Sequence, residues 1–425
     1  MAKAFVVAAS ASGSGKTMVT LGLLRAFRNR GMQVASAKVG PDYIDPRFHE
    51  VASGQPCFNL DPWAMVPAVS RGILASLAAD VVIVEGVMGL FDGPQTARGS
   101  TADLAEDLGL PVILVLDASH QAQSIAAQAL GFISFRKGLT ISGIILNQVA
   151  SDRHAAILSA ALKPLGVPLL GIVRRDDSLK WPSRHLGLVQ AQENQALESF
   201  IESASLRVAR ETNLDSLLTI GSEIRFGATN QILLPPLGQR IAVAQDRAFS
   251  FVYPHLLKDW QRSGAELCFF SPLADEAPPS DVNAVFLPGG YPELNAGVLA
   301  ANHTFLNGLR TSSALLYGEC GGYMVLGDSL IDAEGHAHQM AGLLPLTTSF
   351  ASRKLHLGYR QLNCLDGPWK KPLRAHEFHY STIEHEGLAD RLFSASDAAG
   401  NDLGQVGLRR SSVMGSYAHV ICEAP

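Results

Sequence analysis

Several short stretches of this sequence carry residues whose types and spacing can do chemistry. Ser10-Ala11-Ser12-Gly13-Ser14-Gly15-Lys16-Thr17 supplies backbone N–H groups around two glycines, a lysine able to reach β and γ phosphates, and a hydroxyl suited to magnesium. Those are the parts of a triphosphate-binding P-loop, so Ser12 to Thr17 are the expected ATP contacts. The usual first glycine of that motif is Ser10 here, which requires a loop entry that a residue with a Cβ can adopt. Two acidic sites accompany the loop. Lys38-Val39-Gly40-Pro41-Asp42-Tyr43-Ile44-Asp45-Pro46 offers Asp42 and Asp45 as magnesium ligands, and Val81-Val82-Ile83-Val84 runs into Glu85, the preferred ligand beside Thr17. The same two aspartates also suit turn formation beside prolines.

A different chemistry is written near the C-terminus. Gly318-Glu319-Cys320-Gly321-Gly322-Tyr323 places a cysteine among small residues that permit a sharp strand-to-helix turn, a nucleophile elbow whose helix start favours a thiolate. Leu287-Pro288-Gly289-Gly290-Tyr291 supplies a second glycine loop able to stabilise an oxyanion. His419, in Gly415-Ser416-Tyr417-Ala418-His419, is the expected general base for Cys320.

These residues need elements to hold them. Short apolar runs at Ala4 to Ala9, Val34 to Val39, Val81 to Val84, Val112 to Leu116, Ile141 to Leu146 and Leu169 to Val173 alternate with amphipathic stretches. That alternation predicts a parallel sheet with crossover helices. Its carboxyl edge then collects the P-loop, Lys38, Asp42, Asp45 and Glu85. Asn147 and Asp117 end strands there, and Asn147 serves either adenine recognition or a turn. Runs at Ile241 to Ala244, Leu267 to Phe270, Ala284 to Leu287 and Ala314 to Tyr317 predict a second α/β sheet. The glycine- and proline-bearing stretch between them reads as a linker. The expected organisation is α/β throughout: residues 1–225 a P-loop ATP-binding synthetase domain, 226–240 a linker, and 241–425 an amidotransferase-like domain.

A length of 425 residues suits two domains, and 47% apolar with 17% charged residues suits large buried sheets. A net charge of -5 without basic clusters argues against nucleic acid or a membrane surface as partner. The N-terminal apolar run is too short for a signal peptide, and no run reaches the ~20 residues a membrane helix needs, so a cytoplasmic location is expected. Cys57, Cys268, Cys320, Cys364 and Cys422 form no CxxC pair, so most are expected reduced and buried.

The last ~185 residues resemble the class I glutamine amidotransferases, whose cysteine attacks the glutamine side-chain amide and releases ammonia. The acid normally two residues beyond the histidine is Ile421 here, so His419 is oriented by some other acceptor or functions with less electrostatic help. With Glu85-Gly86-Val87-Met88-Gly89-Leu90-Phe91-Asp92-Gly93 and His376-Glu377-Phe378-His379-Tyr380-Ser381, nearly the whole chain resembles the cobyrinic and hydrogenobyrinic acid a,c-diamide synthase family. The resemblance implies ATP, Mg2+ and glutamine acting on a corrin polycarboxylate, with an acyl phosphate attacked by ammonia that travels internally. It further implies substrate contacts from Lys38, Tyr43, Asp45, Gly289, Gly290, His376, Glu377 and His379. A metal at the HxxH pair His376 and His379 would need further ligands, so contact with the macrocycle or its carboxylates is preferred there. Neighbouring readings are amidation of other corrin side chains or of a nickel sirohydrochlorin. A partition-type ATPase switch carrying an inactive amidotransferase fold is the reading from another class, disfavoured by Ala11 where such ATPases carry a lysine. A homodimer is one of the assembly states left open.

Overall fold

In the first half of the chain, the β-branched and alanine-rich runs become strands of a sheet buried on both faces. They are β1 (Lys3–Ala9), β2 (Val34–Val39), β3 (Cys57–Leu60), β4 (Val81–Glu85), β5 (Val112–Asp117), β6 (Ile141–Val149) and β7 (Leu169–Arg174). The computed structural model describes residues 2–95, 98–176, 179, 195–227 and 231–424. Two compact units emerge, Met1–Asn230 and Gln231–Pro425.

The strand order in the first unit is β3-β2-β4-β1-β5-β6-β7, with every pair along it parallel. Parallel strands joined by helices put all carboxyl ends at one edge. Register then brings specific residues side by side: Glu85 of β4 pairs with Val7 of β1 and Lys38 of β2, and Asp117 of β5 pairs with Asn147 of β6. Helix α1 (Lys16–Asn29) starts at the P-loop and buries most of one side against the sheet. Its outer face meets the helix Gln195–Glu211, where buried Arg25 reaches Glu198 at 2.6 Å and Glu202 at 3.2 Å. Helix α2 (Asp45–Ser53) begins with Asp45 and Pro46, a proline tolerated in a first turn because no N–H is needed there. A further strand, β8 (Ser222–Glu223), lies antiparallel to the start of β1.

The second unit holds a ten-stranded mixed sheet ordered β10-β9-β11-β12-β21-β20-β19-β16-β17-β22. Its parallel part comprises β9 (Arg240–Ala244), β10 (Glu266–Phe270), β11 (Ala284–Leu287) and β12 (Leu315–Glu319), with β21 (Val413–Ser416) parallel to β12. These strands carry the runs expected from the sequence. The remaining part is antiparallel: β16 (His356–Cys364), β17 (Leu373–His379), β19 (Asp390–Asp397), β20 (Asp402–Arg410) and β22 (Ala418–Glu423). A small second sheet joins β13 (Ser329–Ile331), β14 (Ala337–Gln339), β15 (Leu346–Ser349) and β18 (Thr382–Glu386). Leu233 and Leu234, within the expected linker, are buried, and Leu233 donates its backbone N–H to Asp259 at 2.9 Å. No helix among the described residues is long and apolar enough to cross a membrane.

Candidate functional sites

The P-loop forms as its residues dictate. Gly13 and Gly15 take φ of 82° and 87°, a left-handed conformation that glycine adopts without a Cβ penalty. Ser10, in the place of the usual glycine, does not have positive φ, so its side chain is accommodated. Ser14 Oγ donates to Ala11 O at 2.9 Å and closes the loop, and Lys16 is buried at the start of α1. Asn147 is also buried, and its Nδ2 donates to Ser14 O at 3.0 Å. A Cβ on Gly15 would stand 2.0 Å from Asn147 Nδ2, so Asn147 braces the P-loop backbone.

Behind the loop lies a buried ionic cluster. Thr17 Oγ1 donates to Glu85 Oε1 at 2.7 Å, Lys38 Nζ reaches the same oxygen at 2.9 Å, and His49 Nε2 meets Glu85 Oε2 at 2.6 Å. Lys38 Nζ also reaches Asp45 Oδ2 at 2.7 Å and Gly86 O at 3.2 Å. Burial alone would raise the Glu85 carboxyl, but Lys38, His49 and Lys16 hold it well below its ordinary value. Burial likewise opposes the charge on Lys38, and Asp45 and Glu85 overcome it, raising its ammonium above the usual range. His49, next to Cys57 Sγ at 3.5 Å, is raised against burial to about 10 by Cys57 and Glu85.

This cluster revises the roles read from the sequence. Lys38 is 1% exposed and bound by two carboxylates, Asp45 and Glu85. Asp45 balances Lys38, while Asp42 Oδ1 accepts the backbone N–H groups of Ile44 at 2.8 Å and Asp45 at 3.2 Å, fixing the turn into α2. Tyr43 is half-buried beside them. Thr17 and Glu85 remain the adjoining oxygen pair that suits magnesium, a hard cation that keeps several waters beside a few protein oxygens. His49 and Asn59 were not singled out in the sequence. Asn59 Nδ2 holds the loop by donating to Gly40 O at 2.9 Å and Asp42 O at 2.7 Å.

In the second unit, β12 ends in a sharp turn. Cys320 has φ 47° and ψ -103°, a strained conformation for a residue with a Cβ, and the short helix Gly321–Leu326 follows at once. The turn is held by Cys320 N donating to Ser416 O at 2.8 Å and Gly322 N donating to Pro288 O at 3.1 Å. A Cβ on Gly322 would stand 1.9 Å from Leu287 O, so only glycine lets the elbow close. The residues expected to cooperate do converge. A Cβ built on Gly289 would lie 2.3 Å from His419 Cε1, 3.1 Å from its Nε2 and 3.2 Å from Cys320 Cβ. Gly290 N would lie 3.1 Å from a Cβ on Gly321, so its N–H borders the same turn.

The electrostatics differ from a preformed thiolate. Burial pushes the Cys320 thiol well up, Glu293 adds to the rise, and the Gly321 N–H opposes it. The six-residue helix does not reverse that. His419 is pushed down to about 3 by burial, with His376 and His379 adding to the fall, so its imidazole is neutral near pH 7 and has a lone pair to offer. Glu319, beside the cysteine, accepts Val420 N at 3.1 Å through Oε1 and presents Oε2 to His419 Nδ1 at 3.8 Å.

Strand β17 runs next to β22, so His376 stands opposite His419, and Phe378 O lies 4.0 Å from Cys320 Sγ. The His376 to Ser381 segment thus flanks the cysteine. His379 Nδ1 faces Ser381 O at 3.1 Å and its Nε2 faces Glu377 Oε1 at 2.8 Å, while Arg360 Nε donates to Glu377 Oε2 at 2.7 Å. Burial favours the neutral Glu377 acid, but His379 and Arg360 hold it down at about 2. His356 gathers with Glu377 and His379 as the ligand atoms of a conceivable cation site, whereas His376 does not. Arg360 pairs with Glu377 and Arg391 with Glu386, and Lys354 lines the same cavity of about 460 Å³. That cavity opens beside Tyr417 and Ala418, immediately before His419, and with both carboxylates paired to arginines Lys354 leaves it one net positive charge, which suits a carboxylate better than a metal.

Comparison with known proteins agrees with both halves. Residues 5–189 match the CobQ/CobB/MinD/ParA nucleotide binding domain, and residues 240–425 match the CobB/CobQ-like glutamine amidotransferase domain. Hydrogenobyrinate a,c-diamide synthase of Brucella anthropi is 56% identical over 428 residues, covering 99% of this chain and 98% of that protein. The protein of the same name from Sinorhizobium sp is 52% identical over 425 residues, covering 98% of each. That from Rhodobacter capsulatus is 48% identical over 431 residues, covering 99% of this chain and 98% of its own length.

Proposed function

Because this chain belongs to the hydrogenobyrinate a,c-diamide synthase family, we propose that it amidates the a and c acetate carboxylates of hydrogenobyrinic acid, spending ATP and glutamine. A carboxylate resists attack by ammonia because oxide would have to leave. In the first unit, the substrate carboxylate oxygen attacks the γ-phosphorus of ATP, ADP departs, and the acyl phosphate carries a good leaving group. Lys16 and the loop N–H groups of Ser12 to Thr17 hold the phosphates. Thr17 and Glu85 are the residues that would hold magnesium, which when bound neutralises phosphate charge. Lys38 and His49 fix Glu85 in place, and Asn147 fixes the loop. Tyr43, half-buried beside the ionic cluster, remains the substrate contact proposed on this side.

In the second unit, neutral His419 takes the Cys320 proton as the sulfur bonds to the glutamine amide carbon. The proton then passes to the departing nitrogen, ammonia leaves, and water hydrolyses the glutamyl thioester. The N–H groups of Gly290 and Gly321 are placed to receive the oxyanion. The cationic cavity beside Tyr417 suits the α-carboxylate end of glutamine, which gives Glu377 and His379 a role at the nitrogen donor instead of at the macrocycle. Ammonia then displaces phosphate from the acyl phosphate.

The observation that carries this reading is the approach of Cys320 and His419 on either side of Gly289. Incubation with hydrogenobyrinic acid, ATP, magnesium and glutamine, followed by mass spectrometry of the corrin, tests it directly. Conversion of two acids to amides with matching ADP release is expected, and an unchanged corrin refutes the assignment.

A further inference from the structure

The acid that the sequence lacks two residues after His419 has a counterpart elsewhere in the fold. We propose that Glu319, the last residue of β12, is the positioning residue for His419, holding the imidazole from its Nδ1 side so that Nε2 serves Cys320. The proposal rests on the amidotransferase reading of Cys320 and His419.

Three features support it. Glu319 precedes the nucleophile directly, so the elbow that presents Cys320 also fixes the carboxylate. Both Glu319 and His419 are buried, at 3% and 1% exposure, so water does not screen their interaction. The carboxylate also holds the histidine's strand: Oε1 accepts the N–H of Val420 at 3.1 Å while Oε2 lies 3.8 Å from His419 Nδ1. That second distance exceeds a formed hydrogen bond, and catalytic contacts commonly tighten when substrate is bound. With Nδ1 facing Glu319, the Cε1 and Nε2 atoms of the ring border Gly289, which also borders Cys320 Cβ.

The chemistry follows from where the protons go. A hydrogen on Nδ1 pointing at Glu319 leaves the Nε2 lone pair for the Cys320 thiol proton. The imidazolium so formed then lies against a carboxylate, as in hydrolytic triads where an acid orients the histidine without itself taking the proton. Other titratable groups face this centre: Tyr317 from β12, Cys320 and Glu293 from the elbow side, and His376, Glu377 and His379 from β17. Burial raises Glu319 to about 8, against the Val420 N–H and Tyr317. Its ionised form therefore gains as pH rises through that value, and glutaminase turnover should rise with it.

Glu319→Gln discriminates this role from mere support, because its amide oxygen can still accept the Val420 N–H while the charge is gone. In the full chain, kcat for glutamine hydrolysis between pH 6 and 9.5 should fall about 10- to 100-fold with little change in KM, and the rise near pH 8 should vanish. Ammonia-dependent amidation should persist, which serves as the control for folding. A wild-type kcat and pH profile in Glu319→Gln overturns the proposal. If the variant folds poorly, nitrogen NMR of His419 in the unaltered protein decides: a proton on Nδ1 is expected, and a proton on Nε2 alone overturns it. The amidotransferase reading fails by a different result, retention of glutamine hydrolysis in Cys320→Ser.

Discussion

Lys38 Nζ stands 2.9 Å from Glu85 Oε1 in the interior of the first unit, on neighbouring strands held in register. The same ammonium reaches Asp45, so one buried cation answers two buried carboxylates, with His49 answering Glu85 from its other side. Such a cluster contributes more to arrangement than to net stability, because desolvation of the charges offsets much of their attraction. Its arrangement is what keeps a carboxylate ionised beside Thr17.

Removal of one partner exposes that cost. Lys38→Met leaves Asp45 and Glu85 buried without their cation, so unfolding free energy should drop by about 3–5 kcal/mol. Urea titration measures it. A loss under about 1 kcal/mol would mean that the cluster does not depend on this lysine.

The two chemistries should separate by nitrogen donor. Cys320→Ser should abolish amidation with glutamine and leave amidation with ammonium salts near the wild-type rate, as read by corrin mass. Equal loss with both donors would remove Cys320 as the dedicated ammonia source.

Lys16→Ala should block amidation with either donor, since activation of the carboxylate precedes both. Normal ammonia-dependent product would take the P-loop out of the mechanism.

Gly289 is a packing test of the same centre. Gly289→Ala puts a Cβ 2.3 Å from His419 Cε1 without positive-φ strain, so the imidazole must move. A misplacement of about 1 Å costs on the order of 100-fold in turnover. Glutamine hydrolysis should fall by that factor while ammonia use persists, and unchanged hydrolysis would place His419 outside the reaction.

The legible part of the fold was the parallel part. Val81 to Val84 and Val112 to Leu116 are uninterrupted apolar runs because their strands are buried on both faces. Strand β3 escaped notice because it is four residues long and includes Asn59, which is buried only because it holds the Gly40 to Asp42 loop. The antiparallel part was hidden for another reason: β16 and β20 are exposed or half-buried along most of their length and mix apolar with polar residues, so they carry no apolar run. At the site, Ser12 to Thr17, Gly289 and Cys320 announce themselves by small residues at fixed spacing. Lys38 reads from the sequence as a ligand contact because it is a charge at a strand tip, and only register shows that it faces Glu85. Glu319 was passed over because the acid was sought after His419 along the chain, while the fold supplies it from a different strand.

The last prediction concerns acid. His255, His376 and His419 are buried in the second unit, and burial lowers them to about 4, 4 and 3. Unfolded, each titrates near its ordinary value of about 6.5. As pH falls from there toward 4, the unfolded chain takes up protons on these histidines that the folded unit refuses, so their contribution to stability falls with pH over that window. The slope approaches ~1.4 kcal/mol per pH unit for each histidine. The first unit behaves oppositely, because His49 is raised to about 10: its contribution is complete below about 6.5 and is lost as pH rises through 10. Denaturant unfolding followed by Trp260 and Trp369 fluorescence reports the second unit, and Trp63 the first. His255→Phe should reduce the acid slope of the second unit by about one proton. Glu293 and Glu319, raised to about 7 and about 8, hold protons in the fold that the unfolded chain releases, and so oppose the histidines over the same window. The change on substitution is therefore what is read: an acid slope unaltered in His255→Phe would mean that this histidine is charged in the fold.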